Sequence, residues 1–274
     1  MARSYTQLRV RGDYYNGGMI VNIAAYRFVH IEDPPALAAD VRRWAEDADL
    51  KGTVLVAPEG INLFLAGASG DIEGFLRELR ADARFADLHA KHSESAHLPF
   101  PRLKVKLKRE IISFRRDDAV PLSRPRAPAV SPATLAGWIA RGSDDAGRRL
   151  VLLDTRNREE VDYGSFAGAL TLPIDNFTDL PAALAPHREA LADATVVSFC
   201  TGGIRCEKAA LWMRDSGMDN VLQLDGGILG YFEAVGGAGY DGRCFVFDGR
   251  VALDPALRPL VDGDAATGMQ ERAA

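Results

Sequence analysis

The sequence predicts a two-domain α/β protein, an α+β unit of order β-α-β-β-α-β followed by a doubly wound parallel sheet. Three observations predict it. Residues 19–114 alternate short β-branched segments with two amphipathic stretches of helical period. Pro121, Pro125, Pro128 and Pro132 crowd into "DDAVPLSRPRAPAVSP" (117–132), the composition of a linker. Beyond it, apolar strands such as "LVLLDTR" (150–156) and "TVVSFC" (195–200) alternate with helices, as in a parallel sheet buried on both faces.

Each element follows from local chemistry. "MIVNIAAYRFV" (19–29) is rich in β-branched and aromatic residues and reads as a strand. Asp33 caps the next helix, with Pro34 in its first turn, where a missing N–H costs nothing. Leu37, Val41, Trp44 and Ala48 mark one face of that helix. "GTVLVAPEGINLFLAG" (52–67) reads as a hairpin turning at "PEG", and Ile72, Phe75, Leu76 and Leu79 mark a second helix. "RLKVKLKREIISF" (102–114) alternates and supplies the last strand of a ferredoxin-like unit, while "HAKHSESAH" (89–97) reads as a polar loop. Past the linker, Ser131 and Pro132 open a helix carrying Leu135, Trp138 and Ile139. A helix over 181–192, a helix from Cys206 to Ser216 stopped by Gly217, and the strand "VLQLDGG" (221–227) follow. "CFVFDGRVAL" (244–253) reads as a closing hairpin turning at Asp248-Gly249, and the tail after 255 as disordered.

Bulk properties bound the function. No run of eighteen apolar residues is present and no signal peptide opens the chain, so a cytoplasmic protein is expected. Three cysteines are too few and too odd for a disulfide framework. Net charge is −5, yet residues 102–126 hold nine Lys/Arg against three Asp/Glu, which points to a local anionic partner.

The chemistry concentrates in "FCTGGIRCEKA" (199–209). Cys200 ends a parallel strand, where open α/β sheets bind ligands. The N–H groups of Thr201, Gly202, Gly203, Ile204 and Arg205 are placed to curl around one point, and the glycines permit that curl. A helix N-terminus and the Arg205 charge add to them, and all three favour thiolate over thiol. The reading is a nucleophilic cysteine in an anion cradle. Four residues separate Cys200 from Arg205, one fewer than in tyrosine-phosphatase loops, which favours a smaller group than phosphate. Cys206 either resolves an oxidised or persulfidated Cys200 or only packs in the helix; Cys244 reads as core. Asp154 and Arg156, at the end of the neighbouring strand, read as loop support. Lys104, Lys106 and Lys108, extended by Arg109, form a stripe suited to phosphates, against the alternative of an edge strand kept soluble. His89, His92 and His97 lack a metal-ligand pattern, and no dinucleotide fingerprint occurs, so no metal or cofactor is evident.

"LLDTR", "GSFAGALTLP", "VVSFCTGGIRCEKAA" and "LDGGI" together resemble a rhodanese domain. With "EGIN" (59–62), "RLKVKLKREI" (102–111), "GGILGYFE" (226–233) and "CFVFDGRVALD" (244–254), residues 19–254 resemble the rhodanese-related tRNA uridine(34) hydroxylase family. The resemblance implies hydroxylation of C5 of the wobble uridine in the tRNA anticodon loop. It implies molecular oxygen as co-substrate, Cys200 at the active position, and no obligate protein partner. Two departures stand out. Larger members carry a cysteine-rich C-terminal extension, whereas no cysteine follows 244 here, and Met19 stands at the usual family start. The expected organisation is a flexible extension (1–18), a ferredoxin-like RNA-binding domain (19–118), a linker (119–130), a rhodanese domain (131–245), and a closing hairpin with a disordered tail (246–274). Sulfur transfer through a Cys200 persulfide, and an RNA-binding module with a vestigial loop, are the competing readings.

Overall fold

In the computed structural model, residues 19–123 and 125–262 are described; the expected flexible extension (1–18) and the end of the tail lie outside them. The chain begins with β1 (Ile20–Phe28), α1 (Pro34–Asp47), β2 (Lys51–Ala57), β3 (Gly60–Gly67) and α2 (Ser69–Ala81). The Asp33 side chain accepts the Ala36 N–H at 2.9 Å, and Pro34 and Pro35 occupy the first helical positions, as capping chemistry requires. Next come β4 (Lys91–Ser95) and β5 (Leu103–Leu107), and the sheet order is β4-β1-β3-β2-β5.

This corrects two expectations. The histidine-rich segment read as a loop is the ferredoxin-like edge strand β4, antiparallel to β1. Its polar alternation hid it, because an edge strand keeps one face and one rim in water. The lysine-rich strand is an added fifth strand, parallel to β2 on the opposite edge, and it ends at Leu107 rather than 114.

Helices α1 and α2 cover one face of this sheet. Ile23, Ala25, Val54, Val56, Ile61, Leu63 and Leu65 point into the core beneath them. The alternate positions, among them Ala24, Tyr26, Leu55, Asn62 and Phe64, point the other way. That second face is roofed by the other domain rather than by helices.

The second domain holds β6 (Ala129–Val130), α3 (Pro132–Arg141), β7 (Leu150–Asp154), α4 (Arg158–Val161), β8 (Gly164–Phe166) and β9 (Leu170–Thr171). It continues through α5 (Leu180–Leu184), α6 (Arg188–Leu191), β10 (Thr195–Phe199), α7 (Ile204–Asp215), β11 (Val221–Leu224) and α8 (Gly227–Val235). The chain closes with β12 (Tyr240–Gly242), β13 (Cys244–Phe245) and β14 (Ala252–Leu253). The main sheet, β6-β11-β10-β7-β9, is parallel throughout. Leu153, Val196 and Val221 pack under α5, α6 and α7; Leu152, Val197 and Leu224 pack under α3 and α8. The sheet is therefore buried on both faces, which is why its strands read as continuous apolar runs.

Several boundaries move. The single helix expected over 181–192 is broken at Pro186 into α5, a tight turn and α6, since proline has no N–H to continue the ladder. The end of the linker pairs as β6 with β11 (Ala129 beside Gln223), so the second sheet begins two residues before 131. Phe114, expected in the first domain, and Ala119, expected in the linker, are buried in the second domain's core. The hairpin Cys244–Leu253 contributes to the core shared by α3 and α8. The tail expected to be disordered after 255 remains packed through Asp262: Leu260 donates to the Ala252 carbonyl, and Asp262 accepts the Ala96 N–H at 2.8 Å. Among the described residues no helix is long and apolar enough to cross a membrane.

Candidate active site

The open face of the first sheet and the C-terminal ends of the second domain's strands enclose a cavity of about 500 Å³, a size suited to a small ligand or one nucleoside. Tyr26, Asn62, Phe64 and Lys91 line it from the first domain, and Cys200, Thr201, Gly202, Ile204 and Arg205 from the second.

Cys200 directly follows β10 and is fully buried from bulk water. The loop after it is shorter than expected, because α7 begins at Ile204 rather than at Cys206. Arg205, Cys206, Glu207 and Lys208 therefore stand in the first turns of a helix. Gly203 takes φ 97° as the residue before that helix, which favours glycine, and its N–H donates to Cys200 Sγ at 3.2 Å. Burial alone would push the Cys200 thiol up. The Cys206 hydrogen bond, the Arg205 charge and the Arg205 and Gly203 N–H groups outweigh it and bring the pKa down to about 5. Cys206 goes the other way: burial and the neighbouring Cys200 hold its thiol well above the usual range. It is a protonated donor beneath the thiolate, also 3.8 Å from Thr155 Oγ1, and it does not line the cavity. Cys244 is buried core, its thiol pushed up to about 12 by burial.

Arg205, expected to favour the Cys200 thiolate by its charge, is itself held: its guanidinium donates to Glu160 in two hydrogen bonds of 2.5 and 2.6 Å. Glu160 is buried and also accepts Thr201 Oγ1 at 3.2 Å and the Asn157 N–H at 3.1 Å. Burial would raise its carboxyl, but the Arg205 charge and hydrogen bonds lower it below the usual range. Arg205 thus shapes the loop, and its charge is paired with a buried carboxylate. Asp154 and Arg156 pair with each other at 2.6 Å, both fully buried. Arg156 also donates to the carbonyls of Glu160 and Gly164, so this pair supports the thiol loop through α4, with no hydrogen bond to the loop itself among the described residues. Of the expected cradle, Gly202 has open space around it, Thr201 turns to Glu160, and Ile204 packs on Ala57 and Ile111 of the first domain.

The remaining sequence signatures are joints. Gly226 and Gly227 adopt φ 73° and 64°; a Cβ on Gly227 would meet Cys200 O at 2.5 Å and Gly203 N at 2.6 Å. Ile228 and Leu229 then donate to the carbonyls of Cys200 and Thr201, so the start of α8 is seated on the thiol loop. Lys208 joins the domains, donating to Glu59 at 2.9 Å and Glu110 at 2.7 Å. Glu207 accepts Tyr26 Oη at 3.1 Å and Arg126 Nε at 2.8 Å.

Two cavity residues, Lys91 and Asn62, and the Arg205 partner Glu160 were missed in the sequence. Lys91 is 8% exposed, makes no hydrogen bond or ion pair among the described residues, and sits 5.7 Å from the Tyr26 ring centroid. Burial lowers its pKa. It hid inside the unrecognised strand β4. Asn62 is a polar residue within an otherwise apolar β3, a signal that was visible. Glu160 stands three residues after the helix-start residue Asn157, also a visible pattern. Lys104 and Lys106 lie on the same face of the sheet as Leu55 and Asn62, Lys108 lines the cavity, and Arg109 is exposed. Of the alternate residues on this strand, Leu103 and Val105 pack on the core and Leu107 is 53% exposed.

Two family models match the chain. Residues 20–111 match the UPF0176 acylphosphatase like domain, and residues 132–234 match the rhodanese-like domain. A tRNA uridine(34) hydroxylase of Xanthomonas euvesicatoria pv. vesicatoria (strain 85-10) is 72% identical over 246 residues, covering 90% of this chain and 99% of its own length. The protein of the same name from Xylella fastidiosa (strain M23) is 66% identical over 244 residues, covering 89% and 95%. Among solved structures, a Saccharomyces cerevisiae homolog of single-domain rhodanese and Cdc25 phosphatase catalytic domain is 18% identical with a TM-score of 0.35, covering 42% of this chain and 87% of its own. With both domains matched in order and near-complete relatives at this identity, the chain belongs to the tRNA uridine(34) hydroxylase family.

Proposed function

We propose that this protein is an oxidoreductase that hydroxylates C5 of uridine 34, the wobble base, in tRNA, with molecular oxygen as co-substrate. The observation that carries the reading is an ionised Cys200 at the wall of a nucleoside-sized cavity, in a chain 72% identical to a protein named for this activity. The wobble base lies in the single-stranded anticodon loop and is splayed into the cavity at modest cost. The Cys200 thiolate adds to C6 of uracil, and the electron pair of the C5=C6 bond moves toward C5 and O4. Arg205 is answered by Glu160, and the Lys91 ammonium, without an ion-pair partner among the described residues, faces this developing enolate. Oxygen adds at C5 to give a hydroperoxide. Two thiols of a reductant cleave its O–O bond, leaving a C5 hydroxyl, one water and a disulfide. Loss of the C5 proton expels the Cys200 thiolate and restores C5=C6.

Isotope labelling tests this against sulfur transfer through a Cys200 persulfide, which the rhodanese-like domain favours. Oxygen addition and oxygen-to-sulfur exchange raise nominal mass equally, so mass alone does not separate them. Unmodified tRNA is incubated with enzyme under heavy-isotope oxygen, and separately with a heavy-sulfur donor. Heavy oxygen is expected in the base and heavy sulfur is not; sulfur in the nucleoside would replace hydroxylation with thiolation.

Lys104, Lys106 and Lys108 run along the cavity face of the sheet edge, placed to follow the RNA backbone toward the base. Changing all three to glutamate is expected to weaken tRNA binding at least about 10-fold and to flatten its logarithmic salt dependence by about two to three counterions. A filter-binding titration across salt concentrations with unchanged affinity would leave the lysines as solubilising charges.

A further inference from the structure

On its first-domain wall, the cavity that Cys200 lines also carries a polar group that the reaction does not use. Asn62 is 6% exposed, on the central strand β3, and it faces the cavity that Cys200 lines. Its Nδ2 donates to the Ile111 carbonyl at 3.1 Å. Its Oδ1 has no hydrogen-bond partner among the described residues, yet is not among the sealed, unpaired buried atoms, so it opens on the cavity. Ile111 is itself fixed, because its N–H donates to Glu59 at 2.7 Å and Glu59 is held by Lys208. A carbonyl only accepts, so the Ile111 oxygen dictates which end of the amide carries the nitrogen. The amide cannot turn over without setting Oδ1 against that oxygen.

We infer that Asn62 is the residue that reads the base as uracil. This rests on the uridine-34 reading and adds its selectivity. Uracil offers an N3–H donor flanked by carbonyl acceptors. Oδ1 accepts N3–H, and the second Nδ2 hydrogen donates to the adjacent carbonyl. Cytosine presents the reverse pattern, an N3 acceptor beside an amino donor. Against the fixed amide it sets lone pair on lone pair and hydrogen on hydrogen, leaving buried polar groups unpaired. A site built in this way rejects the wrong pattern far more strongly than a difference of shape alone does.

The test is a cycle between base and residue. Full-length tRNAs carrying uridine or 3-methyluridine at position 34 are compared on wild-type enzyme and on Asn62→Leu, which is close in size and lacks the amide. Single-turnover rates are measured, and tRNA affinity is measured where turnover is too slow to follow. Blocking N3–H is expected to cost wild type at least about 100-fold, and Asn62→Leu less than about 3-fold, because the partner of N3–H is already gone. Asn62→Asp retains an acceptor and is expected to keep a methyl penalty of at least about 10-fold. Were Asn62 only a prop for Ile111, Asn62→Leu would slow both tRNAs by the same factor and keep the wild-type methyl penalty, which overturns the inference. A wild-type enzyme that leaves uridine 34 unmodified would instead remove the activity reading, and the base reading with it.

Discussion

Replacing Cys200 by serine lowers the single-turnover rate of uridine hydroxylation by about 10⁴-fold, since a hydroxyl, far less acidic than a thiol, is an unactivated nucleophile at neutral pH. Cys206→Ser lowers it far less, by about 10-fold, because a serine hydroxyl still donates toward Cys200 from beneath. The hierarchy follows from position: Cys200 lines the cavity and accepts the Gly203 N–H, whereas Cys206 is sealed below it with its thiol held protonated. The same geometry sets a pH profile. Iodoacetamide alkylation of Cys200 is expected to rise with a midpoint near the pKa of about 5 and to be flat through neutrality. An ordinary cysteine midpoint above pH 8 would contradict the cradle, and equal activity losses in the two variants would make the dithiol obligatory.

Glu160→Gln destabilises the fold by about 3–5 kcal/mol, the cost of leaving one member of a buried ion pair uncompensated. Arg205 and Glu160 are 6% and 1% exposed, and the carboxylate accepts four hydrogen bonds, from Arg205 twice, Thr201 and Asn157. The check is the urea midpoint at unchanged slope, which separates lost stability from a changed denatured state. The pH sign is determined by the lowered Glu160 pKa. A carboxyl whose folded pKa is depressed adds stability above its unfolded value, about 4.3, and loses it as pH falls through the folded value. The gap between wild type and Glu160→Gln is therefore full at pH 7 and closes on acidification below about pH 4. Replacing both partners by leucine recovers much of the loss, because it removes the buried charges together. A difference under about 1 kcal/mol at pH 7 would mean that the pair is solvated in solution.

The limits of the sequence show most clearly at these two residues. Cys200 was legible because everything that activates it is local: a strand end, two glycines and a helix start within six residues. Arg205 was legible as a charge beside the thiol, but its partner was not. Its partner Glu160 lies 45 positions away, on a helix brought alongside only when β7 and β10 pair. β4 was misread for the complementary reason, since its strand identity comes from pairing with β1 and not from its own polar residues.

By itself the sequence determined the two-domain order, the capped helices, the parallel buried sheet and the thiol loop. Each of these is encoded by residues adjacent along the chain, through hydrophobic period, caps and glycine conformation. Tertiary structure alone decided what the thiol faces. The cavity exists because one face of the first sheet, bearing Tyr26, Asn62 and Lys91, is left without helices and is closed by the second domain. Lys208, Glu59 and Glu110 hold that closure across up to 149 positions of sequence. No local pattern predicts such a juxtaposition, because the energy that selects it comes from burying charges and apolar surface that meet only after both domains have folded.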